Sequence, residues 1–165
     1  MTISATLDSY IHDKAGQYDT IAHSFTTTAT EAALHSSVPL KQMVKAVVLH
    51  DKDRYMLAAI PSMNKLMLPQ VQQLTGRHAE LARENEISRI FDDCEVGAIP
   101  AIGQAFGLEV IWDDTLLDDA DLYVEAGDHK NLIHLTREQF KSLMKNNPHG
   151  TISCAPDDLY DLTHY

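Results

Sequence analysis

Long apolar runs, paired cysteines and clustered basic residues are all scarce in this chain of 165 residues. No stretch approaches the roughly 20 apolar residues of a membrane-spanning helix, so no membrane partner is expected. The N-terminal residues Met1 to Asp8 show neither the basic stretch nor the apolar core of a secretory signal. Cys94 and Cys154 are the only two cysteines and share no metal-type spacing with other ligands. They are expected to be free thiols, at least one of them buried, in a cytoplasmic protein. His-Glu-x-x-His, Cys-x-x-Cys and Gly-x-Ser-x-Gly are absent, which argues against a catalytic metal and against an acyl-serine intermediate. No metal and no cofactor is expected.

Basic charge is also in short supply. The formal net charge is −11, unsuited to gripping long nucleic acid through many phosphates, so DNA is not an expected partner. The charge is unevenly placed. Residues 41–91 carry eight Lys and Arg against five acids, whereas residues 92–128 carry eleven acids and no Lys or Arg. The positive middle suits a small anionic group or one end of a nucleic acid, while the acidic block either limits non-specific binding or serves solubility alone.

With 44% hydrophobic and 22% charged residues the composition is that of a globular domain. Ile3, Leu7, Tyr10 and Ile11 share one helical face, and Gly16 supplies a stop. Residues 18–22 predict a short strand. Thr28 and Glu31 have capping-box spacing before an alanine-rich helix that ends ahead of Pro39. Residues 44–50 and 54–60 predict an antiparallel hairpin across Asp51-Lys52-Asp53, the first run apolar enough for a central strand covered on both faces. A short helix from Pro69 to Leu74 closes at Gly76, and another runs from Glu84 to Phe91. Residues 108–112, 122–126 and 131–135 predict three further strands. Thr136 and Gln139 form a second capping box, before a helix that buries Phe140, Leu143 and Met144. Asn146 to Gly150 breaks that helix. The expected organisation is a mixed α+β domain over 1–146 and a C-terminal tail over 147–165, in which Leu159, Tyr160, Leu162 and Tyr165 either dock or stay disordered.

Two features carry chemistry. Lys45 heads the apolar run Ala46-Val47-Val48-Leu49, where a strand-end ammonium can face a cleft. The loop Gly97-Ala98-Ile99-Pro100-Ala101-Ile102-Gly103 can turn backbone N–H groups toward a ligand with few obstructing side chains. Taken singly, Lys45 also fits a solvated strand end, and the loop a tight turn.

In order and spacing, several segments together resemble the YbaK and prolyl-tRNA-synthetase-associated editing-domain family. They are His23 with Thr28 to Ala33, Lys45 to Leu49, Gly97 to Gly103, Val110 to Asp113, and Ala126-Gly127-Asp128-His129. The resemblance covers roughly residues 17–145. It implies a twisted, mixed, six- or seven-stranded barrel-like sheet with surrounding helices. It implies hydrolysis in trans of mischarged aminoacyl-tRNA, with the tRNA acceptor end as partner and a synthetase as a further possible one. Lys45 would be required for deacylation, and Gly97, Ala98, Ile99, Pro100 and Gly103 would line the aminoacyl pocket. Water would attack the ester without a metal, assisted by the terminal ribose hydroxyl.

Gly127 and His129 lie in the segment matching the family's glycine-containing strand and would edge the pocket, though a surface-loop histidine fits as well. His23 matches a family position and alternatively packs against or caps the next helix. Many relatives carry a hydroxyl residue before the loop proline. Ala98 and Ile99 stand there instead, which favours a small uncharged acyl group such as alanine. A methylene's difference is worth only about 1–3 kcal/mol, so the residues do not name the amino acid. Two other readings share these features: a non-catalytic module that recruits tRNA or a synthetase, and a hydrolase of small esters or amides.

Overall fold

Hydrophobic β-formers at 44–51 and 54–61 build the longest hairpin of the protein, which is described here by a computed structural model over residues 2–156. In chain order the helices are α1 (Ala5–Ala15), α2 (Ala29–His35), α3 (Leu68–Thr75), α4 (Glu84–Ile90) and α5 (Arg137–Leu143). The strands are β1 (Asp19–Ala22), β2 (Val44–Asp51), β3 (Arg54–Pro61), β4 (Lys65–Leu66), β5 (Glu80–Leu81), β6 (Glu109–Asp113), β7 (Asp121–Glu125), β8 (Asn131–Thr136), β9 (His149–Gly150) and β10 (Ser153–Cys154).

A mixed five-stranded sheet has the order β5-β2-β3-β6-β9, with β6 parallel to both of its neighbours. A three-stranded antiparallel sheet has the order β1-β8-β7. A parallel bridge between Met43 and Tyr123 joins the two sheets where β2 begins. The result is the expected α+β class, with the barrel left open rather than closed. The main core lies between the sheets and α1 and α5, where Leu7, Ile11, Phe91, Val124, Ile133 and Phe140 are all fully buried. Each such side chain contributes about 1.5–3 kcal/mol by leaving water.

The sequence pattern places the helices and principal strands well, with three differences. The strand buried along six successive positions is β3, from Met56 to Pro61, not β2. β2 is half-buried at residues 45–47, because β5 pairs only with Leu49 and His50. That opening matters for the site. Secondly, Thr28 caps α2 by accepting from the Glu31 amide at 3.1 Å, but Glu31 reaches back to the Thr27 amide, not to that of Thr28. The second box, Thr136 with Gln139, is fully reciprocal.

The third difference concerns residues 147–154. This stretch, expected in the tail, supplies β9 and β10, and Ile152 is 1% exposed. Asp113, fully buried at the end of β6, holds it down. Its Oδ2 accepts from the amides of Ile152 and Ser153 at 3.1 and 2.9 Å and from the Ser153 hydroxyl at 2.8 Å. These partners lie some forty residues apart, beyond any local pattern. Leu159, Tyr160, Leu162 and Tyr165 lie outside the described residues. Among the described residues no helix is long and apolar enough to cross a membrane.

Candidate functional site

The open stretch of β2 forms one wall of a cavity of about 290 Å³. Val44, Lys45 and Ala46 line it from the strand. Thr27, Thr28 and Ala29 contribute from the start of α2, and Glu84, Ile87 and Ser88 from α4. Cys94, Val96, Gly97 and Ile99 form the loop side, and Glu125 enters from the end of β7. The volume sits at the small end of ligand cavities, and most of its wall is apolar.

Lys45 is held, not waving in solvent. Its Nζ donates to the carbonyl of Asn64 at 2.8 Å, in the turn after β3. Asn64 is itself fixed, donating from Nδ2 to the Ser153 hydroxyl at 3.0 Å. Burial lowers the Lys45 pKa, and the positive charge of Lys65 lowers it further.

The loop is shaped by its glycines and by His129. Gly97 has φ +87°, and a Cβ there would sit 3.0 Å from the Thr27 carbonyl oxygen and 3.2 Å from the His129 ring. The Ala98 amide donates to the Glu95 carbonyl at 3.1 Å, and the Glu95 amide to that of Gly127 at 2.8 Å. His129 is 6% exposed with φ +60°, and its Nε2 lies 2.5 Å from the Val96 carbonyl oxygen. A carbonyl only accepts, so Nε2 carries the proton. Asp128 enforces that backbone turn by accepting from the amides of Lys130 and Asn131 at 3.0 and 2.9 Å.

Of the residues singled out from the sequence, Lys45, Gly97 and Ile99 meet around the cavity. Ala98 and Pro100 are buried behind the wall. Gly103 belongs to the core: a Cβ would lie 2.9 Å from the Leu57 Cβ. Gly127 backs onto Cys94, where a Cβ would be 3.0 Å from Sγ. His129 braces the loop from behind. His23 does not line the cavity; its Nδ1 lies 2.6 Å from the Ser24 carbonyl oxygen, and its amide donates to that of Lys130.

Two cavity residues escape the sequence pattern. Glu125 is 3% exposed, and its Oε2 has no hydrogen-bond partner among the described residues. Burial, and secondarily the charge of Asp128, push its pKa up to about 8. A faint signal exists: an acid follows the alternating Leu122 and Val124 in a buried strand. Cys94 is the other. It is a free thiol, as expected, but both cysteines have intermediate exposure, so neither is the buried one that composition suggests. Burial and the charge of Asp93 raise the Cys94 thiol to about 12, which leaves it unsuited to nucleophilic attack. No group of three or more His, Cys, Asp or Glu among the described residues is placed to hold a metal ion.

A family model for the aminoacyl-tRNA editing domain matches residues 23–143. No curated protein matches the chain. Solved structures do. A hypothetical protein, APE2540, is 20% identical with a TM-score of 0.79, over 90% of this chain and 99% of its own. A candidate trans-editing enzyme for prolyl-tRNA synthetase is 19% identical with a TM-score of 0.79, over 92% of this chain and 97% of its own. A candidate signal transduction protein from Marinobacter aquaeolei VT8 is 14% identical with a TM-score of 0.78, over 96% of this chain and 32% of its own. At these identities the structural likeness speaks to fold.

Proposed function

Because the chain belongs to the aminoacyl-tRNA editing-domain family, we propose that it hydrolyses the ester of mischarged aminoacyl-tRNA in trans, with Lys45 as its essential residue. The observation that carries this reading is the shared cavity: Lys45 on β2 and Gly97 and Ile99 on the loop wall one small recess within the editing fold.

Ester hydrolysis needs a placed water, a donor for the developing oxyanion, and walls that select the acyl group. Water adds to the ester carbonyl, the bond to the ribose oxygen breaks, and that oxygen leaves as a hydroxyl while the amino acid departs as its carboxylic acid. The Lys45 ammonium, fixed by Asn64, meets the anionic acceptor end and orders the terminal ribose. A backbone amide of the Val96–Gly97 wall serves the carbonyl oxygen. One such donor is worth on the order of 10²–10³ in rate. Val44, Ala46, Ile87 and Ile99 suit a small, uncharged side chain. The thiol of Cys94 stays protonated, which supports water rather than cysteine as the nucleophile.

The test is a panel of mischarged tRNAs incubated with the protein and with Lys45→Ala. Ester loss on at least one member, reduced at least about a hundredfold in the variant, is expected. Absence of lysine-dependent hydrolysis across the panel refutes the reading.

A further inference from the structure

Glu125 is a buried carboxyl that the hydrolytic chemistry above leaves unused. It is 3% exposed, it faces the cavity, and its Oε2 lacks any partner among the described residues. Leaving such a group unpaired costs free energy, so a site that keeps one is completed by something that enters.

What enters is constrained by the walls. Among the described residues, Lys45 is the one cation lining the cavity, and it donates to Asn64 rather than to Glu125. The loop residues Cys94, Val96 and Gly97 bring no positive charge. A carboxyl in this setting is complementary to an amine. Burial favours its neutral form and raises its affinity for a proton, which suits a partner that brings one. A carboxyl and an amine brought together there join in a charge-assisted hydrogen bond, with neither left unpaired.

We propose that Glu125 anchors the α-amino group of the aminoacyl ester, so that the site takes substrates with a free primary amine and rejects N-acylated ones. The proposal rests on the deacylase reading and specifies its substrate class. The topology suits it. Gly97 and Glu125 line the same recess, and the Glu95 amide ties the loop to Gly127, two residues beyond Glu125. An ester carbonyl at the loop wall thus has its α-carbon, and the amine on it, beside β7.

The best substrate of the tRNA panel is assayed with its amine free and with the amine acetylated, using wild type and Glu125→Gln. Gln matches the neutral carboxyl in shape, and a thermal melt checks its fold. Wild type is expected to prefer the free amine by about tenfold to a hundredfold in kcat/KM, as a hydrogen bond to a charged group gives. In Glu125→Gln that preference collapses toward unity. Equal wild-type rates on the two substrates, or an unchanged preference in the variant, overturn the amine assignment and leave the deacylase reading standing. No hydrolysis of any panel member removes both.

Discussion

The imidazole of His129 donates from Nε2 to the carbonyl of Val96 at 2.5 Å, tying the turn before β8 to the rim of the cavity. That contact also sets the ring beside Gly97, where a Cβ would lie 3.2 Å from it. His129→Asn keeps a residue that tolerates positive φ but is too short to reach Val96. It is expected to cost about 0.5–1.5 kcal/mol of stability through the lost hydrogen bond. The kcat/KM for deacylation should fall about tenfold or more as the wall loosens. Urea denaturation and steady-state kinetics together check this; full activity in a destabilised variant removes the bracing role.

Lys65 lowers the pKa of Lys45 by charge, after burial. Its own side chain is exposed, unlike that of its β4 neighbour Leu66, so it can be removed with little loss of core. Lys65→Ala relieves a like-charge repulsion and therefore raises the Lys45 pKa. If the Lys45 ammonium serves catalysis, the alkaline limb of the kcat/KM profile moves to higher pH. The displacement should shrink as ionic strength rises. A limb that stays in place, or moves down, contradicts the role of that charge.

Glu125 makes stability depend on pH in an unusual direction. Its folded pKa is about 8 against an ordinary value of 4.5, through burial first and Asp128 second. Lys45, Glu84 and Cys94 are the other titratable groups on the same cavity. Between those two values the folded state keeps a proton that the unfolded chain releases. This group's contribution is therefore most favourable below pH 4.5 and falls as pH rises to about 8, then stays level. Every tenfold difference in proton affinity between folded and unfolded chain is worth about 1.4 kcal/mol, so the effect reaches a few kcal/mol. Glu125→Gln abolishes it. Urea unfolding at pH 5 and at pH 8.5 should show the variant gaining on wild type at the higher pH. A constant difference between the two proteins refutes the linkage.

Local pattern reveals most of the elements and part of the site. Gly16, Gly76 and the Thr136–Gln139 box mark helix ends through chemistry that acts over four or five residues, and the structure keeps them. Lys45 and the glycine loop stand out for the same reason. Glu125 does not, because a strand carboxylate reads as solvent-facing until tertiary packing buries it. β9 and β10 are hidden for a different reason. Each has two residues, too few for any periodicity, and their anchor is a carboxylate about forty residues upstream.

That anchor reaches the site. Asp113 Oδ2 accepts from the Ser153 hydroxyl at 2.8 Å, Ser153 accepts from Asn64 Nδ2 at 3.0 Å, and the Asn64 carbonyl receives Lys45 Nζ at 2.8 Å. Ser153→Ala removes the middle link while the two backbone amides still satisfy Asp113. The expected loss of stability is about 1–3 kcal/mol, the ordinary worth of the two hydrogen bonds that the Ser153 hydroxyl makes. Activity should fall as well, because the side-chain tether of Asn64 is lost and only the hydrogen bond from its backbone amide to Pro61 still holds the carbonyl that accepts from Lys45. Asp113→Ala is the harsher change. It strands the Ile152 and Ser153 amides in the core, at about 1–3 kcal/mol each, and should release residues 149–154 from β4 and β6. Hydrogen exchange separates the two cases: Ser153→Ala keeps the amides of 152 and 153 protected, whereas Asp113→Ala exposes them. Wild-type kcat/KM in Ser153→Ala would show that the position of Lys45 does not depend on this chain of contacts.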